Sequence, residues 1–159
     1  MTTASGREQP QRVALTSAEL EARALRLLAR REHSRLELQR KLARHSTSGA
    51  DIEALLDRLQ ASGKLSEARL VEQTVAIRGQ RFGRRKLEHE LRAKGVSEAH
   101  ISAGLQRGRE EELHVATAAW QRKFGQLPNS LQERARQVRF LQNRGFTLDV
   151  IYKVLSIKD

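Results

Sequence analysis

The sequence predicts an all-α protein made of three tandem three-helix repeats, in an elongated molecule that repeat stacking can curve. Composition is the first observation behind this prediction. Charged residues make up 31% of the chain and aromatic residues only 4%, so one thick core would be hard to fill. Helix-forming residues dominate, and only two prolines, Pro10 and Pro128, interrupt them. This balance favours several small helical cores.

The second observation is an apolar triplet, with spacings of ten and four residues, that recurs three times. Successive copies begin about 50 residues apart, which is typical of stacked supersecondary units. The copies are Leu42–Ile52–Leu56, Leu91–Ile101–Leu105 and Leu141–Ile151–Leu155. We expect each copy in the core of its own repeat. Within the second repeat we also assign Ile77 and Leu87 to the core.

Residues that start and stop helices recur with the triplets. Three pairs fit the capping box, in which a hydroxyl and a carboxylate satisfy early helix amides reciprocally. These pairs are Thr16 with Glu19, Ser34 with Glu37, and Ser130 with Glu133. Glycines suited to the left-handed conformation after a helix stand at the other ends, at positions 63, 95 and 145. Each repeat is therefore expected to contain short, well-delimited helices.

These signals define nine predicted helices in three repeats. The helices are expected at 17–31, 35–44, 50–62, 67–81, 84–94, 98–107, 109–124, 130–144 and 148–157. The predicted repeats span residues 16–63, 64–108 and 109–159, after a disordered tail of residues 1–15 that is rich in Thr, Ser, Gly and Gln. Since each repeat is close to the lower size limit for independent folding, we expect the repeats to support one another.

The sequence offers no support for catalysis. It has no cysteine, and it contains no phosphate-binding glycine loop and no GxGxxG, HExxH or GxSxG motif. The five histidines are scattered without metal-ligand spacing, so we expect no catalytic residue, metal or cofactor; His33 is better explained by packing or capping. No apolar run suits a secretory signal or a membrane span, which predicts a cytoplasmic protein. The lack of a heptad seam predicts a monomer.

Excess positive charge is the main functional signal. The net charge is +11, and 23 of the 30 basic residues are arginines. Such a field favours polyanions or acidic protein surfaces. We expect a stripe of binding residues across the three repeats, made of Arg30, Arg31, Arg35, Arg78, Arg81, Arg84, Arg85, Lys86, Arg134, Arg136, Arg139 and Arg144. At the junction 81–85, backbone amides and guanidinium groups are expected to converge on an anion.

Three stretches resemble the RecX family, bacterial regulators of the RecA recombinase. The first is ALRLLARREHS at 24–34, which continues through Glu37-Leu38 to Lys41-Leu42. The others are the series Leu65, Arg69, Arg78, Phe82-Gly83, Glu90-Leu91, Lys94-Gly95-Val96 and the series Lys123-Phe124-Gly125, Phe140-Leu141, Arg144-Gly145-Phe146. The sequence departs from the family pattern at Ser66 and Leu70, where an acidic residue and an aromatic are usual, and at Arg81, where glycine is usual.

The resemblance implies a three-repeat helical fold and binding along the groove of the RecA–DNA nucleoprotein filament. It also implies inhibition of RecA's ATP hydrolysis, strand exchange and coprotease functions, without catalysis by this protein. An alternative remains open on the residues alone. Three-helix units with excess arginine also suit a nucleic-acid-binding protein that contacts single- or double-stranded DNA without RecA.

Overall fold

A computed structural model describes residues 14–46, 48–106 and 108–156. Nine helices and no strands lie within these ranges, which confirms the predicted fold class. The first repeat contains α1 (Ser17–Arg30), α2 (Arg35–Ala43) and α3 (Gly49–Ala61); the second contains α4 (Glu67–Arg78), α5 (Arg84–Ala93) and α6 (Glu98–Gly104); and the third contains α7 (Arg109–Lys123), α8 (Leu131–Asn143) and α9 (Leu148–Val154). Helices α4, α6 and α9 each end three residues earlier than predicted.

Each repeat has its own hydrophobic core, and the recurrent triplet lies in all three. The nine triplet residues are at most 3% exposed. Leu20 and Ala24 of α1 complete the first core, Leu70 and Val71 of α4 the second, and Trp120 of α7 the third. Because the closest helix pairs lie within repeats, such as α7 against α9 and α4 against α6, the repeats form three small cores in series.

The predicted capping boxes are confirmed at the starts of α1 and α2. At Thr16 and Ser34 the side chain accepts from the backbone of the glutamate three residues on, whose carboxylate accepts from the cap amide. Of the two hydrogen bonds predicted for the third capping box, one is wrong. Ser130 caps α8, but the Glu133 carboxylate accepts from the amide of Asn129 at 3.1 Å. The backbone of Ser130 has φ −141°, unlike the −66° and −75° of the two complete boxes, and this rotation accompanies the change of partner.

Glycines with positive φ end the second helix of repeats two and three, as predicted. Gly95 has φ 77° and Gly145 has φ 88°, a region that disfavours side chains with a Cβ. The following amides, of Val96 and Phe146, donate to carbonyls five residues back, and both side chains are buried. At each of these helix ends, the apolar residue that follows the glycine therefore packs in the core.

Two assignments from the sequence are wrong. Ile77, predicted to lie in the second core, is 68% exposed. The buried face of α4 is centred between Val71 and Thr74, and at about 100° per residue Ile77 lies at its edge. Leu15, predicted to belong to the tail, donates its amide to His45 O at 2.9 Å and packs its side chain on the first core. Ala14 is exposed, and tail residues 1–13 lie outside the described residues.

Polar contacts join the first two repeats. Glu32 lies after α1, where its carboxylate pairs with Arg69 Nε at 2.8 Å and its amide donates to Gln73 Oε1 at 3.3 Å. The Ser34 hydroxyl, besides capping α2, donates to the carbonyl of Lys94. The end of the first helix of repeat one thus meets both α4 and the end of α5.

His33 is buried beside this junction, at 1% exposure, which confirms a packing role. Its Nδ1 lies 3.0 Å from Arg31 O and its Nε2 lies 3.1 Å from Lys41 Nζ. Burial lowers the pKa of His33 below its ordinary value; the bond to Arg31 O and nearby Glu37 oppose this shift, while the charges of Arg31 and Lys41 reinforce it. The folded protein therefore favours the neutral ring.

The exposed and buried positions of repeats two and three provide a matched test of the cores. Leu91→Ala and Leu141→Ala should each lower the free energy of unfolding by about 2–5 kcal/mol, because each removes a fully buried side chain. Ile77→Ala should change it by less than about 0.5 kcal/mol, since the side chain is exposed. Urea unfolding followed by circular dichroism would measure all three. Equal effects at Ile77 and Leu91 would contradict the described core.

Acidification should destabilise the protein through His33. Because the folded pKa is lowered, the unfolded chain binds more protons as pH falls below about 6.5, and stability falls with it. The slope from this one group is at most about 1.4 kcal/mol per pH unit. We expect His33→Gln to remove this slope between pH 7 and 5 in thermal unfolding, whatever its effect at pH 7. Exposed His89→Gln is the control, and a matching loss there would rule out His33 as the source.

Candidate functional site

The second and third repeats meet through their backbones. The amide of Gly83 donates to Arg144 O at 2.7 Å, and the amide of Arg85 donates to Gly145 O at 3.2 Å. Between them, the amide of Arg84 donates to Glu112 Oε1 at 2.8 Å. The prediction that these amides face an anionic ligand is therefore wrong. The first turn of α5 is already satisfied by the third repeat, since Gly83 itself has no side chain with which to cap the helix.

Two glycines allow this close approach. A Cβ built on Gly83 would lie 2.4 Å from Gly145 O, and one built on Gly145 would lie 2.5 Å from the amide nitrogen of Lys86. Both neighbours are backbone atoms, which cannot turn aside as a flexible side chain can. The junction therefore fixes the position of the turn 79–83 against the end of α8.

Cations from both repeats lie close to the ring of Phe82, which is in this turn. The Arg78 guanidinium lies 4.6 Å from the ring centroid, Lys86 Nζ lies 4.9 Å from it and the Arg144 guanidinium 5.3 Å. Arg144 also lies 5.1 Å from the ring centroid of Phe140. Its guanidinium is thus held by two aromatic rings, a contact that favours a planar cation.

An open cleft of about 390 Å³ lies beside Phe82, between the two repeats. Its described lining consists of Arg81, Phe82, Ala119, Arg122, Lys123, Phe140 and Arg144. Within the described part of the chain, the cleft thus includes four cations and no carboxylate. Like charges brought together near a low-dielectric surface repel one another unless an anion joins them. The geometry therefore suits an anionic ligand.

The structure brings together only part of the predicted stripe. Arg78, Arg81, Lys86 and Arg144 surround Phe82 or the cleft. Arg122 and Lys123, at the end of α7, were missed as site residues because basic residues there also match the helix dipole. They could have been identified only from their closeness to Arg81 and Arg144 across the junction, and no local sequence pattern indicates that closeness.

The predicted residues of the first repeat are largely engaged in its own fold. Arg31 pairs with Glu37 at 3.1 Å, and Arg35 pairs with Glu53 at 2.6 Å and Asp57 at 2.8 Å. The hydrogen bond to Glu53 raises the pKa of Arg35, although burial opposes it. Arg30 is exposed at the end of α1.

The central repeat divides its cations between ion pairs and open surface. Arg78 Nε lies 2.8 Å from Glu90 and Arg84 Nε lies 2.6 Å from Glu88. Lys86 donates to Asn143 O at 3.2 Å, across the junction. Among the described residues, the exposed side chains of Arg81 and Arg85 have no acidic partner.

The third repeat places its predicted arginines along α8. Arg134, Arg136 and Arg139 are all exposed, and Arg136 lies 5.8 Å from the ring centroid of Phe124. None of the three lines the cleft. Only Arg144, at the end of the helix, joins Phe82. The twelve residues thus do not form one continuous row of unpaired cations.

No group of three or more metal-ligating side chains is close enough to hold a metal ion within the described ranges. Of the helices described, none is long and apolar enough to span a bilayer.

The fold and the cleft define a basic helical-repeat protein with a surface suited to anionic partners. Models of the first, second and third three-helix domains of RecX match residues 22–59, 66–105 and 110–155. The chain belongs to the RecX family.

Named relatives agree with this assignment, and a solved structure agrees with the fold. A protein named Regulatory protein RecX from Leptothrix cholodnii is 49% identical over 140 residues, which cover 88% of this chain and 89% of that protein. Its namesake from Chromobacterium violaceum is 43% identical and covers 86% of this chain and 89% of its own length. The crystal structure of RecX from Lactobacillus salivarius has a TM-score of 0.73 at 15% identity, covering 88% of this chain and 94% of that one.

The backbone contact between Gly83 and Gly145 can be tested by adding one methyl group at Gly83. Gly83→Ala should lower the free energy of unfolding by about 1–3 kcal/mol, because its Cβ meets the backbone of Gly145. Gly49→Ala is the control, since nothing lies within 4 Å of its Cβ, and it should stabilise by about 0.4–1 kcal/mol. Thermal unfolding with circular dichroism would measure both. A neutral Gly83→Ala would show that the repeats do not pack through these backbones.

Proposed function

We propose that this protein is a non-enzymatic regulator that binds the RecA–DNA nucleoprotein filament in the cytoplasm. It inhibits RecA's ATPase, strand exchange and coprotease activities in DNA repair and recombination, and acts as a monomer. The observation that carries the proposal is the match of all three repeats to RecX domains, together with relatives named as regulatory proteins.

The physical features of the chain support this proposal. Three small cores in series are an arrangement that suits a polymeric partner. We propose repeat boundaries of 16–63, 64–108 and 109–159, with Leu15 packed on the first core. A net charge of +11 speeds encounter with a filament that carries DNA phosphates. The unpaired cations at the junction of repeats two and three supply a local contact of matching sign.

A second candidate function is binding to nucleic acid without RecA. The four cations that line the cleft favour it, because such a surface attracts bare DNA as well as DNA in a filament. The two functions predict different responses to added DNA. Sequestration of DNA is relieved when DNA is in excess, whereas inhibition of an assembled filament persists.

Purified protein should slow DNA-dependent ATP hydrolysis by RecA and hydrolyse no ATP alone, since the sequence has no phosphate-binding loop. The assay would titrate the protein against RecA at a limiting and at a large excess concentration of single-stranded DNA. Inhibition at both concentrations supports the filament regulator. Inhibition that disappears in excess DNA supports the second candidate, and ATPase activity that survives rigorous purification would contradict a non-enzymatic role.

A further inference from the structure

The Arg144 guanidinium is the best-positioned cation in the cleft. It lies over the rings of Phe82 at 5.3 Å and Phe140 at 5.1 Å, and one of its nitrogens donates to Arg81 O at 3.3 Å. A guanidinium has five N–H donors in a rigid fork, so several remain for a ligand. Because packing already restrains the side chain, a bound anion costs little additional ordering.

Three further cations flank Arg144, from two other elements. Arg81 follows α4, and Arg122 and Lys123 end α7. The cleft also lies near the carboxyl ends of α7 and α8, which carry a partial charge of about −0.5 each. Four full positive charges exceed that contribution, and no Asp or Glu of the described ranges lines the cleft. The local charge is therefore strongly positive, unlike that of the paired arginines in the first repeat.

The surroundings favour a phosphate backbone over an acidic peptide. An extended peptide commonly binds through main-chain hydrogen bonds and pockets for its side chains. Here the amides of residues 83–85 are occupied by the third repeat, and the rings of Phe82 and Phe140 are covered by cations. Covered rings are also poor stacking platforms for bases. The cleft provides positive charge and the paired N–H donors of guanidinium groups, which match phosphate oxygens.

We propose that the cleft between the second and third repeats binds the phosphodiester backbone of a DNA strand, with Arg144 as the anchoring cation and Arg81, Arg122 and Lys123 beside it. This assignment deepens the proposed function and rests on it, since it names the DNA contact of a filament regulator. It assigns no DNA contact to the ion-paired arginines of the first repeat. Recognition through phosphates alone is independent of base sequence.

Two double variants provide a matched test. Arg122→Gln/Lys123→Gln removes two exposed cations of the cleft from the last turn of α7. Arg40→Gln/Arg44→Gln removes two exposed cations from the last turn and the C-cap of α2 in the first repeat. The change in net charge is the same, and each pair lies at the carboxyl end of a single helix. None of the four side chains has an acidic partner in the described part of the chain.

The measurement is fluorescence anisotropy of a labelled oligonucleotide, without RecA, at several salt concentrations. The slope of log affinity against log salt falls by roughly 0.7–0.9 for each phosphate that the protein no longer neutralises. We expect the cleft variant to reduce the slope by about 1.4–1.8 and the first-repeat variant to retain the wild-type slope. Arg144→Lys should weaken binding several-fold with nearly the same slope, because the charge remains while the fork is removed. Circular dichroism would verify that each variant folds.

Other outcomes would overturn the assignment. Equal reductions of slope in the two double variants would show that attraction to DNA is spread over the whole surface. Poly-glutamate binding that depends on Arg122 and Lys123, with oligonucleotide binding unaffected, would assign the cleft to an acidic protein surface. The proposed function is decided separately, by inhibition of RecA ATPase with the wild-type protein, so either proposal can fail alone.

Discussion

Direct contact between two stretches of backbone, at Gly83 and Gly145, determines the arrangement around the cleft. Side chains larger than hydrogen would separate the turn 79–83 from the end of α8. With that separation, the Arg144 guanidinium would move away from Phe82 and the α5 amides would lose their carbonyl partners. The cation cluster and the helix cap therefore depend on the same pair of glycines. The first junction is different in kind, since side chains such as Glu32 and Arg69 supply much of it.

Ion pairing divides the arginines into two populations that composition cannot separate. Arg35, with two carboxylates around it, contributes to the packing of α2 on α3 and adds little to the external field. Arg122, with no carboxylate beside it in the described chain, contributes its full charge to the surface. The net charge of +11 is therefore distributed unevenly over the surface. Four of the cations meet at a junction between repeats, where three separate elements end.

Much of the fold could be predicted because it depends on local chemistry. The spacing of Leu91, Ile101 and Leu105 reflects helix periodicity within one repeat, and Gly95 reflects the backbone conformation of one helix end. The cleft could not be predicted in full, because it depends on which side chains meet across a junction. Arg122 and Arg81 are about forty positions apart, and no spacing rule relates them. The prediction for Ile77 failed for a related reason: apolar character alone does not show that a helix edge is covered.

Helix α5 begins with a cap that belongs to another repeat. Glu112 of α7 accepts the amide of Arg84, and the carbonyls of Arg144 and Gly145 accept its neighbours. During synthesis, the second repeat therefore emerges from the ribosome with all its apolar residues but an unfinished helix start. Its last stabilising bonds form only when the third repeat has been made. A repeat of this kind is not an interchangeable module, since exchanging or deleting its successor would remove hydrogen bonds from its own helix.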